Sequence, residues 1–170
     1  MLASKIKNQG YSLVEIIFYV SILSLFFVII VNSIISFTRP YREILSLRLV
    51  ERSALDSMER MTRDIRGATS IDASNSTLDT SPGVLTLIST YDSISTTTKF
   101  YLDSGVLKVD VNGIYEGPLT TSRTSVTNLV FRQITGTNSS AVRIEMTIQS
   151  SIGTSIRSKK YYTTTILKLI

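Results

Sequence analysis

The sequence predicts an α+β fold: a long N-terminal helix, apolar in its first half and amphipathic in its second, packed on an antiparallel β-sheet. Three observations lead there. Residues 13–37 form a long apolar run with one charged residue, residues 40–67 carry apolar side chains at helical spacing, and from residue 68 Ser, Thr, Val and Ile dominate between turn residues. All the strand-like runs follow the helical ones, an order that belongs to α+β architecture rather than to alternating βα units. At 170 residues the chain has room for one compact domain and an extension.

Between Lys7 and Arg39 the only charged side chain is Glu15, and residues 13–37 read LVEIIFYVSILSLFFVIIVNSIISF. About 20 helical residues cross the hydrocarbon core of a bilayer, so this run is long enough to span it and to contact lipid along residues 13–37. A cleavable secretory signal would have a shorter apolar region followed by a small-residue A-x-A site. The sequence after this run is VNSIISFTRP, which holds no such site. Lys5 and Lys7 precede the run, whereas Arg39 and Arg42 after it are partly offset by Glu43. That asymmetry votes for a cytoplasmic N-terminus, with the bulk of the chain outside the cytoplasm.

Ahead of the run stands Gly10-Tyr11-Ser12-Leu13-Val14-Glu15, a basic leader ending in glycine with an acid five positions later. A carboxylate inside a membrane helix costs several kcal/mol unless it is paired, so Glu15 is a functional candidate by default. A residue only a turn into the helix can instead snorkel to the interface. This segment resembles the class III signal of type IV pilins and type II secretion pseudopilins, usually written G-F-T-L-I-E. Tyr11, Ser12 and Val14 stand where Phe, Thr and Ile are usual. The resemblance implies a leader over residues 1–10, a transmembrane and assembly helix over 11–39, and a membrane-bound prepilin peptidase as partner. That peptidase would cut between Gly10 and Tyr11 and methylate the new α-amine of Tyr11. Glycine suits the cut because it lacks a Cβ to clash where backbone is pressed into a protease. Glu15 would then pair with the Tyr11 amine of a neighbouring subunit during assembly with other pilins or pseudopilins.

Pro40 removes one helical hydrogen bond, so either a kink there or a helix break between Phe37 and Tyr41 is expected. Residues 40–67 then read as an amphipathic helix with Leu47, Val50, Ala54, Met58, Met61 and Ile65 in one stripe. Arg52–Asp56, Asp56–Arg60 and Glu59–Arg63 are i,i+4 pairs on the opposite, solvated face. Gly67 is a stop signal. Pilins, which the N-terminus resembles, have a long helix whose second half packs on a β-sheet.

The β-rich head spans residues 68–170, with strands expected at 84–89, 97–102, 107–111, 126–134, 142–149 and 161–167. Alternation is clearest where Val142, Ile144, Met146 and Ile148 point inward against Arg143, Glu145, Thr147 and Gln149. Leu107, Val109 and Val111 form a second inward set, and Leu129 with Phe131 a third. Asn112-Gly113 is a two-residue hairpin signal. Residues 69–82 and 135–140 read as exposed loops. The stretches ERMTRDIRGAT, VTNLVFRQI and YYTTTILK resemble recurring parts of the larger J- or W-type pseudopilins, which sit near a fibre tip and help start assembly.

The chain has no Cys and no His, which removes disulfides, thiol nucleophiles, Ser–His–Asp triads and His-based zinc sites. No catalytic residue, cofactor or metal is expected, and the chain is read as a structural protein rather than an enzyme. Asp110, Asn112 and Glu116 offer oxygen ligands near Gly113, but their spacing does not fit a calcium loop. Setting aside Lys5 and Lys7 leaves 16 basic against 13 acidic residues, a net +3 that is scattered with no run beyond Lys159-Lys160. Nucleic-acid binding by the head is therefore not expected, since it draws on clustered cations and aromatic platforms. Nothing in the sequence names a small-molecule ligand. The expected role is a minor pilin or pseudopilin, held in the inner membrane and then assembled into a type IV pilus or type II secretion pseudopilus. The competing reading is a signal-anchored extracytoplasmic binding domain that keeps residues 1–10 and joins no fibre.

Overall fold

The computed structural model describes residues 12–136, 139–152 and 155–168. It has one long helix followed by eight strands, an α+β arrangement with antiparallel sheets. Helix α1 covers Leu13–Gly67 with Pro40 inside it, so there is no break between Phe37 and Tyr41. The chain divides into two compact units, residues 1–41 and residues 42–170. Gly10, Tyr11 and the rest of the leader lie outside the described residues.

In the second unit two antiparallel meanders share one core with the helix. The first runs β1 (Ser70–Ile71), β2 (Leu85–Tyr91), β3 (Ile94–Asp103), β4 (Val106–Val111) and β5 (Ile114–Pro118) in sequential order. The second is β6 (Thr124–Thr135), β7 (Ser140–Ile152) and β8 (Ser155–Ile166). Three two-residue turns close the hairpins of the first sheet, each with positive φ at both positions. They are Asp92 (46°) with Ser93 (63°), Ser104 (52°) with Gly105 (80°), and Asn112 (53°) with Gly113 (78°). Two successive positive φ values define the turn whose twist matches the flanking strands.

The sheets meet where Val126 donates its backbone N–H to Gly105 O (2.8 Å), and where Asp79 and Gly83 donate to Phe131 O and Leu129 O (both 2.8 Å). Residues 69–82 are therefore not simply an exposed loop. They contribute β1, a bridge from Thr77 to Val84, and the cover over part of β6. Strand β7 alternates as its sequence requires, with Val142, Ile144, Met146 and Ile148 all buried.

The helix stripe is corrected at one end. Val50, Ala54, Met61 and Ile65 are fully buried and Met58 partly so, but Leu47 is 39% exposed and Ser46 is buried instead. Serines line the rest of this seam. Ser46 Oγ donates to Ser150 O (3.1 Å), Ser57 Oγ donates to Leu119 O (2.9 Å), and Ser53 Oγ lies 3.0 Å from Thr124 Oγ1. A small side chain lets the helix backbone approach the sheets closely, and its hydroxyl meets polar groups that packing would otherwise leave unpaired. Ion pairs clasp both sides of the seam: Glu43 with Arg157 (2.6 Å), Glu51 with Lys159 (2.9 Å) and Arg60 with Glu116 (2.8 Å). Arg60 also holds Asp64 (2.7 Å) rather than the expected Asp56.

Candidate assembly segment

The start of α1 is set by Ser12, whose carbonyl accepts from the backbone N–H groups of Glu15 (3.0 Å) and Ile16 (3.2 Å). Glu15 thus sits in the first turn, where the positive end of the helix dipole favours a carboxylate. Beyond it the helix presents apolar side chains in every direction. Large apolar residues from Leu13 to Phe37 are between 38% and 76% exposed. Such a surface is far larger than a soluble monomer exposes, and it requires lipid or other protein around it. This one N-terminal helix is long and apolar enough to cross a membrane.

Glu15 is half-buried among its neighbours on the helix. Its Oε1 accepts a hydrogen bond from the Tyr19 hydroxyl at 3.1 Å, one turn further along. That partner was open to sequence reading, because i,i+4 side chains meet on a helix, yet only the Tyr11 amine is expected from the sequence. The structure places Glu15 at the helix start, whereas the predicted processing pair Gly10 and Tyr11 lies outside the described residues. Ser21 returns its hydroxyl to Ile17 O (2.8 Å), so its polar group is satisfied within the helix.

In the head, the acids are committed to separate partners. Asp110 accepts from the Tyr101 hydroxyl (3.1 Å), Glu116 pairs with Arg60, Asp103 with Lys108 (2.6 Å), and Glu145 with Arg132 (3.1 Å) and Arg143 (3.2 Å). Asn112 accepts from Thr97 N–H (2.8 Å), which fixes the hairpin at the segment whose spacing does not fit a calcium loop. Among the described residues no group of three or more His, Cys, Asp or Glu side chains converges as metal ligands. The Lys108 ammonium and the Ser104 hydroxyl hold the Asp103 carboxyl below the usual carboxylate range. Burial, then the hydrogen bond to Asp110, raises the Tyr101 phenol. A groove of about 220 Å³ is lined by Asn75, Thr86, Thr97, Lys99, Asp110 and Gly113, which include no paired nucleophile and base. The apolar helix with its single carboxylate is the feature of the chain that calls for a partner.

No family model, curated protein or solved structure matches this chain.

Proposed function

We propose that this chain is a structural subunit of a pilin-type fibre. It is made with a leader over residues 1–10, cut between Gly10 and Tyr11 by a prepilin peptidase, and methylated at the Tyr11 amine. It is stored in the inner membrane through residues 13–37 and then built into a type IV pilus or type II secretion pseudopilus, near the tip. One observation carries the reading: an apolar helix exposed from Leu13 to Phe37, interrupted by one carboxylate a single turn from its start. In a simple tether that carboxylate would gain only the helix-dipole interaction to set against its cost of insertion. A fibre subunit has a use for it, because the same apolar surface must leave lipid and pack on other helices in a fixed register. A buried ion pair is a well-attested device for specifying register. The leader glycine at Gly10 and the cations Lys5 and Lys7 support the same reading.

The test is replacement of Glu15 by Gln, which keeps size and hydrogen-bonding capacity but deletes the charge. Cells containing the assembly machinery are sheared, and fibre and membrane fractions are compared. The expected result is normal cleavage with the processed subunit retained in the membrane. Equal amounts of wild type and variant in the fibres would refute an assembly role for Glu15.

A further inference from the structure

We infer that Tyr19 is a positioning residue for Glu15: its hydroxyl holds one carboxylate oxygen on the subunit's own helix and leaves the other for the cation of an incoming subunit. The inference rests on the assembly reading above and adds to it a residue that the leader motif does not contain. The geometry is local. Tyr19 Oη donates to Glu15 Oε1 at 3.1 Å across one helical turn, and among the described residues Oε2 carries no hydrogen bond.

Two consequences follow from the chemistry. Before assembly, a carboxylate in the outer part of a bilayer helix lacks the donors that water would supply, and the phenol provides one without adding charge. The ring itself is apolar and tolerates lipid, and tyrosine hydroxyls suit the wet margin of the bilayer. During assembly, a carboxylate can accept from several donors, so an ammonium can bind Oε2 while the phenol stays on Oε1. A long side chain otherwise loses rotamer freedom when it pairs. With Tyr19 already fixing it, less freedom remains to be lost at the moment of docking.

The test is a double-mutant comparison in the full chain, scored as the ratio of fibre to membrane subunit after shearing. Tyr19→Phe removes the hydroxyl and keeps the ring. Side-chain hydrogen bonds inside membranes are modest, so the expected loss is about three- to tenfold with Glu15 in place, with cleavage at Gly10 unchanged. In the Glu15→Gln background Tyr19→Phe should change nothing further. If that background yields too few fibres to measure, Glu15→Asp replaces it, because the shorter side chain keeps the charge but moves it out of reach of the phenol. An equal loss in wild-type and Glu15-substituted backgrounds would show that the ring packs and does not position. No loss in the wild-type background would also overturn the inference. The Glu15→Gln arm alone reports on the assembly reading, so failure of that reading is seen separately.

Discussion

At the residue scale, the chain places unusual demands on a few side chains. Gly105 adopts a φ of 80° in the β3–β4 turn, and a Cβ there would run into Ser125 Oγ, beside the backbone bond from Val126 to Gly105 O. Strain and clash act together, so Gly105→Ala should lower stability by about 1–3 kcal/mol, read as a shift in chemical denaturation midpoint. Asp103 makes a different demand. Its folded carboxyl titrates below the usual range, so its contribution to stability is in place above the ordinary carboxylate pKa and is lost as pH falls through the lowered one. Lys108→Ala should move the Asp103 titration seen by carbon-detected NMR back upward. Within residues 13–37 Glu15 stood out in the sequence because it interrupts an apolar run. Tyr19 did not, because an aromatic in such a run looks like any other apolar surface until its hydroxyl is placed against Oε1.

At the scale of elements, the helix seam separates what patterning can read from what packing decides. Period-two alternation made β7 legible, since a strand buried on one face has no other register. Asn112-Gly113 was legible because asparagine and glycine accept positive φ. The Asp92-Ser93 turn, with the same backbone, carries no glycine and gave no signal. Strand β1 has only two residues and exists through pairing to β2, so no local propensity could announce it. The 3.6-residue stripe found Val50, Ala54, Met61 and Ile65 but chose Leu47 over Ser46, because hydrophobicity ranks leucine above serine. Close approach to the Ser150 carbonyl reverses that ranking. Three substitutions separate the views. Met61→Ala should cost about 2–5 kcal/mol. Leu47→Ala should stay within about 0.5 kcal/mol, as for an exposed position. Ser57→Leu should be destabilising by about 1–3 kcal/mol from overpacking alone, with the Leu119 carbonyl also losing its donor. Thermal melts of the detergent-solubilised chain would rank the three.

At the scale of the whole molecule, the two units present different surfaces. The core of residues 42–170 is complete in itself, with helix, both sheets and ion-pair clasps all inside it. Residues 42–170 alone should therefore be soluble and melt cooperatively, and aggregation without a cooperative transition would place the boundary elsewhere. The apolar helix over residues 13–37 needs lipid or neighbouring helices, and in the proposed assembly it meets both in succession. That succession depends on release of the leader, since only cleavage creates the amine that Glu15 is proposed to meet. The intact mass of the protein extracted from membranes of cells containing a prepilin peptidase tests this most directly. The expected result is a chain starting at Tyr11 and heavier by one methyl group, and a full-length chain when Gly10→Leu blocks the cut. A wild-type chain still beginning at Met1 in those cells would contradict it.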